Sequence, residues 1–136
     1  MIQHTIQVNC EPGWFKHELS CYWFSDHTTN WDDAENTCKD KQSHLVSIQS
    51  EDEHKFVVQN RKDKSVDTWI GAHQNGTDLN NWYWSNGEKF RFNNWLAGQP
   101  NNIEEECASI YGDGDNNLNL WHDLPCSLSF RLVCEK

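Results

Sequence analysis

The sequence predicts an α+β domain: two short capped helices among short aromatic strands, stapled by disulfides. Three observations carry this. Two segments, beginning near Thr29 and Ser50, pair a helix cap with an apolar stripe of helical spacing. Four separate runs of aromatic and β-branched residues read as strands. Six cysteines stand in a chain of 136 residues with eight Trp. An even number, widely spaced and without a C-x-x-C, reads as three disulfides and a secreted, extracellular protein.

The first helix opens at Thr29-Asn30-Trp31-Asp32, a cap with acid in the first turn. Trp31, Ala34, Glu35 and Cys38 follow at helical spacing, so Cys38 faces inward with the ring. The second opens at Ser50-Glu51-Asp52-Glu53, a capping box. Phe56, Val57 and Asn60 give its inner face, and Arg61 and Lys62 place bases at its end, as the helix dipole favours. Between the helices, His44-Leu45-Val46-Ser47-Ile48 alternates like a strand. The remaining strands are read at Cys21–Phe24, Thr68–Gly71, Trp82–Trp84 and Phe130–Cys134, with a turn at Ser85-Asn86-Gly87. From Phe92 to Glu106, and again from Gly112 to Asn117, the chain is loop-like and rich in side-chain oxygen. Loops on a rigid scaffold are where binding residues concentrate.

Composition excludes several classes. Mean hydropathy is -0.89, and no uncharged apolar stretch approaches the ~18 residues of a membrane span, so no membrane insertion is expected. Aromatics at 12% argue against disorder. Eleven Lys and Arg stand against 21 Asp and Glu, a net charge of -10, which disfavours nucleic acid, whose phosphates need basic surfaces. No internal repeat or linker divides the chain. Residues 1–9 carry no apolar run and read as an N-terminal tail or strand rather than a signal peptide, followed by one domain over 10–136. Asn75-Gly76-Thr77 is a glycosylation sequon.

No enzyme is expected. H-E-x-x-H, G-x-S-x-G and the phosphate-binding loop are all absent, and the cysteines are committed to disulfides. Glu104 and Glu106 read as a solvated or cation-binding run rather than a hydrolytic pair. Most of the seven His read as surface residues.

Trp69-Ile70-Gly71-Ala72, Leu45-Val46-Ser47-Ile48 before an acidic helix start, Gln99-Pro100-Asn101, Glu105-Glu106-Cys107 and Trp121-His122-Asp123 occur in the order found in C-type lectin domains. The chain resembles that family from Cys10 to Cys134. The resemblance implies the C-type lectin-like fold: two helices, two small antiparallel sheets and a long loop region. It implies the disulfides Cys10–Cys21, Cys38–Cys134 and Cys107–Cys126. The second of these closes a loop worth roughly 4–5 kcal/mol in the chain-entropy model. It also implies a secreted lectin that binds terminal galactose- or mannose-type sugars through Ca²⁺, with a place in innate immunity. Carried over position by position, Gln99 and Asn101 match the two ligands of the family's Pro triplet, with Pro100 expected to be cis. Glu105 matches the acid two before the cysteine, and Asp123 matches the acid of the Trp-Asn-Asp motif. Trp121 reads as core.

The departures from the family pattern are informative. Gln-Pro-Asn is a hybrid of the Glu-Pro-Asn and Gln-Pro-Asp triplets, so it does not decide the sugar. It contributes no carboxylate, leaving Glu105 and Asp123 as the charged ligands. Calcium affinity follows the count of charged ligands, so weakened binding is expected. His122 stands where the family has Asn, and imidazole suits softer metals than calcium. Three readings stay open. His122 points away and calcium binds, the calcium site is lost, or a softer metal has replaced it. If His122 joins the site, its protonation weakens cation binding below roughly pH 6.5. No aromatic lies between the triplet and Glu105; Tyr111 and Trp95 are the candidates nearby. The accessory calcium site of the family has only Asp78 as an acid here and is expected to be absent or weak. The Asp113/Asp115/Asn117 series reads as a solvated turn rather than an EF-hand.

Two rivals accompany the lectin reading. One keeps the fold without calcium and binds sugar directly, or an ice surface. The other is a toxin- or defence-type module that binds a protein. With every cysteine paired, any homo-oligomer is expected to be non-covalent.

Overall fold

The computed structural model describes residues 7–74, 78–102, 104, 106–113 and 119–136. In chain order the elements are β1 (Phe15–His17), β2 (Ser20–Phe24), α1 (Trp31–Asp40), β3 (His44–Leu45), α2 (Glu51–Asn60), β4 (Thr68–Gln74), β5 (Trp82–Trp84), β6 (Cys107–Ile110), β7 (Trp121–Leu124) and β8 (Arg131–Glu135). Two antiparallel groups result. In one, β8 lies between β2 and β3, with β1 outside β2. In the other, β4 pairs with β5 and β6, and β6 with β7. A short parallel pairing, Thr68↔Arg131 and Trp69↔Leu132, joins them along the path β1-β2-β8-β4-β6-β7. The first group continues past β8: the N–H of Cys21 donates to Lys136 O at 2.7 Å and that of Lys136 to Cys21 O at 3.0 Å.

Both helices start where their caps place them. Asn30 is the N-cap of α1, and its side-chain oxygen accepts the Asp33 N–H at 2.9 Å. Trp31, Ala34, Glu35 and Cys38 are the buried face. Glu35 is a buried acid with three partners. It accepts from the Leu45 N–H (2.9 Å) and the Ser85 hydroxyl (3.0 Å), and lies 2.9 Å from His44 Nδ1. Ser50 caps α2 by accepting the Glu53 N–H at 3.1 Å. Glu53 reaches back to the Gln49 N–H at 2.8 Å, one residue before the cap.

The end of α2 differs from expectation. The helix stops at Asn60, and Arg61 is extended at ψ 138. Its guanidinium turns inward and donates to Tyr111 O at 3.0 Å, so it fixes a loop instead of serving the dipole. The run after β3 also differs. Only His44 and Leu45 pair as a strand, while Val46, Ser47 and Ile48 are all buried because the segment is covered on both sides. Strands β6 and β7 had no sequence signal of their own, yet every residue of β6 is buried. Among the six described histidines only His27 is exposed, and His54 and His122 are buried. His54 and His122 enter this core with partners, the Trp121 indole N–H and Asp67.

Two apolar clusters share the sheet. One gathers α1 and the Cys38–Cys134 bridge around Trp31, Trp69 and Leu132. The other surrounds Trp121, whose ring meets Trp84, Phe92 and Trp95 edge-to-face at 5.7–5.8 Å between centroids. Gly71 lets β4 pass under β3: a Cβ there would lie 2.8 Å from Leu45 O and 2.9 Å from Ser85 Oγ. The disulfides are Cys10–Cys21, Cys38–Cys134 and Cys107–Cys126, so no cysteine is free. No helix among the described residues is long and apolar enough to cross a membrane.

Candidate functional site

The long loop is tied to β7 by backbone bonds. The Trp121 N–H donates to Asn94 O (2.8 Å), the Leu96 N–H to Trp121 O (2.9 Å) and the Gln99 N–H to Leu96 O (2.8 Å). The Gln99–Pro100 peptide is cis. Strand β7 then decides which of its side chains reach this loop. Alternate residues of a strand face opposite ways, so Trp121 and Asp123 share one side and His122 takes the other.

Asp123 is 2% exposed and closes the loop. Its carboxylate accepts the Asn101 N–H at 3.1–3.2 Å and the Asn102 N–H at 3.0 Å. An ionised carboxylate offers about four lone-pair sites, so these bonds leave capacity on it. Gln99 is half-buried, and its Oε1 is buried with no hydrogen-bond partner. Such an acceptor costs about 1–3 kcal/mol unless a cation or a donor satisfies it. The Asn101 side chain is exposed and the Asn102 side chain accepts the Glu104 N–H at 2.9 Å. The structure therefore brings Gln99, Asn101 and Asp123 together. Glu105 lies outside the described residues, as do the Asn75 sequon and Asp115 and Asn117.

His122 does not join this group. Its Nε2 lies 2.6 Å from Asp67 Oδ2, and Tyr111 stacks on its ring at 3.6 Å and 16°. Asp67 also accepts from the Ser109 hydroxyl (2.9 Å) and the Gly112 N–H (2.8 Å). Burial raises the Asp67 pKa, but the bonds from His122 and Gly112 outweigh it and hold the carboxyl below its ordinary value. Tyr111 is thereby occupied with His122 rather than with the triplet. Sequence reasoning missed Asp67, which belongs to no motif and gains its role only when β4, β6 and β7 pair.

The donors around Gln99 fit the calcium ion that the family resemblance implies. They are amide and carboxylate oxygens, which hard cations prefer, and the one imidazole nearby in sequence is turned to Asp67. The orphaned Gln99 oxygen is the observation that favours a fit. At the accessory position, the Gln74 amide donates to Asp78 O at 2.6 Å. Among the described residues, three metal-ligating side-chain atoms converge within 4.8 Å only at His17, Glu18 and Asp52, on the β1–β2 turn and the first turn of α2. Two of these are exposed acids.

A family model described as the Lectin C-type domain matches residues 27–136. The chain is 35% identical to mouse (Mus musculus) CD209 antigen-like protein C, over all of this chain and 77% of that protein. It is 37% identical to human (Homo sapiens) asialoglycoprotein receptor 2 over 93% of this chain, and spans 40% of the length of that receptor. Among solved structures it is similar to a calcium-independent type II antifreeze protein, with a TM-score of 0.87, 27% identity and 98% coverage of both chains. It is also similar to the C-type lectin domain of murine dendritic cell inhibitory receptor 2 in complex with N-glycan. There the TM-score is 0.84 and identity 26%, over 94% of this chain and 98% of that one.

Proposed function

The chain belongs to the C-type lectin domain family, a family that binds rather than catalyses, and from that premise we propose that it is an extracellular carbohydrate-recognition domain. It binds terminal galactose- or mannose-type sugars at the long loop. Gln99, Asn101, Glu105 and Asp123 hold a calcium ion there, and their remaining lone pairs and amide protons meet the sugar hydroxyls. The observation that carries this reading is the buried, unpartnered Gln99 Oε1 beside a triplet that Asp123 clamps from below. Calcium would supply the charge that orders vicinal hydroxyls. The chain's own part is to fix the triplet backbone through Asp123, to offer uncharged amides on either side of Pro100, and to keep His122 on Asp67. His122 then acts through packing and touches neither ion nor sugar. Association of copies, where it occurs, is non-covalent because all six cysteines are paired.

The test is retention on galactose- and mannose-substituted resin in calcium, with elution by free monosaccharide and by EDTA. Asn101→Ala, at an exposed position, and Asp123→Ala should both abolish retention. Retention unchanged in Asn101→Ala would refute the site. A second reading, sugar or surface binding without calcium, is favoured by the small number of acids at the loop and by the likeness to a calcium-independent antifreeze protein. Retention that ignores EDTA would select it.

A further inference from the structure

A cavity of about 360 Å³ opens beside the Gln99–Pro100 bond. In a chain with 21 acids, 11 bases and 7 histidines, none of the described residues lining it is ionisable. Its apolar wall is made by Trp82, Phe90 and Trp95, with the Trp82 and Trp95 rings 4.9 Å apart between centroids. The Trp82 indole N–H already donates to Leu79 O at 2.8 Å, so this residue presents ring and no donor. The polar part is three primary amides, from Asn80, Asn93 and Gln99. Asn80 and Asn93 are exposed, and Gln99 is half-buried.

The chemistry narrows the ligand. A charged molecule would find no counter-charge. A purely apolar one would cover the exposed Asn80 and Asn93 amides without giving them partners, which is costly. A ring with C–H faces and a rim of hydroxyls satisfies both parts: the faces meet aromatic carbon and the hydroxyls meet amides, each of which both donates and accepts. The volume lies within the range of small-molecule sites. We propose that this cavity is a second sugar subsite, one that needs no cation and takes an uncharged pyranose against Trp82 and Trp95. It shares Gln99 with the calcium reading but goes beyond it, since no carboxylate enters the cavity, and it stands if that reading fails.

The experiment is a titration of the ¹⁵N-labelled chain with galactose, mannose and N-acetylglucosamine, in EDTA, read at the Trp82 and Trp95 indole N–H signals. At least one sugar should shift both signals saturably, with a dissociation constant in the millimolar range, on the order of 1–10 mM. Asn93→Arg, at an exposed position, should block the cavity and remove the shift. Asn80→Arg should do the same. Neither should alter calcium-dependent retention on sugar resin, which reports the long-loop site separately. The proposal is overturned if no sugar moves the two indoles, or if the shifts are linear in concentration and persist in both variants.

Discussion

Replacing Glu135 with Gln should unmask a pH dependence of stability that the native chain conceals. Two buried groups titrate abnormally and in opposite senses. His54 is pushed from its ordinary 6.5 down to about 4, first by burial and then by the charge of Arg61. The geometry agrees: the Trp121 indole N–H donates to His54 Nδ1 at 3.3 Å, and a proton on that nitrogen would oppose it. Glu135 is pushed from 4.5 up to about 7, first by burial and then by the nearby Glu53 carboxylate. Tyr22 bridges the two acids, its hydroxyl 2.5 Å from Glu53 Oε2 and 3.5 Å from Glu135 Oε2. Burial and the two acids raise the Tyr22 pKa as well.

The signs follow from linkage. As pH falls from 6.5 to 4, the unfolded chain protonates His54 before the native one does, so stability is lost. As pH rises from 4.5 to 7, the unfolded chain ionises Glu135 first, and stability is lost in that direction instead. Each gap is worth on the order of 3 kcal/mol. Between pH 4.5 and 6.5 the two slopes cancel, so the native chain should be nearly flat there. Glu135→Gln removes one slope, and its stability should rise by about 2 kcal/mol over that window. His54→Gln should show the opposite trend, with stability falling as pH rises. Urea unfolding followed by Trp fluorescence at pH 4.5, 5.5 and 6.5 measures both. Asp67, held low, acts below this window. If Glu135→Gln is as flat as the native chain, the reasoning fails.

Three further outcomes are expected. Calcium at 100 times its dissociation constant should stabilise the fold by about 2.7 kcal/mol, seen as an EDTA-reversible rise in Tm; no rise at any calcium concentration would remove the ion from the site. Asp67→Asn should leave the His122 ring without its charged partner and cost about 1.5–3 kcal/mol in urea unfolding, while an Asp67→Asn variant as stable as the native chain would show the pair to be idle. Gly71→Ala should cost about 1–3 kcal/mol, since the new methyl meets the Leu45 carbonyl; an unchanged Tm would mean that β3 yields freely.

What the sequence made legible is local. The caps at Asn30 and Ser50, the strands around Trp69, Trp82 and Leu132, and the positions of the triplet are written in neighbouring residues. Strand β6 is Cys-Ala-Ser-Ile, and neither Ala nor Ser announces a strand. It becomes one because β4 and β7 flank it. Arg61 reads as a base at a helix end, His122 as a neighbour of the calcium site, and His54 as one of the mostly exposed histidines, because such residues are usually exposed. Their burial depends on Tyr111 O, the Trp121 indole and Asp67, partners 50, 67 and 55 residues away in sequence. The candidate ligand positions were legible through family order alone. The uncharged cavity was not, because Asn80, Asn93 and Gln99 belong to three separate stretches that meet only in the fold.

The order of strands also governs how the domain can be displayed. The Cys10–Cys21 staple, β1, β2 and Lys136 belong to the first strand group, whereas the triplet loop is laced to β7 at the far end of the sheet path. A tether joined just before Cys10 or after Lys136 would therefore leave from the first strand group rather than from the triplet loop. On the proposed sugar-binding function, several copies gathered by such tethers would point their loops outward at once and engage a clustered glycan together. A weak single contact would then gain its strength from local concentration, set by tether length, without any new bond in the site.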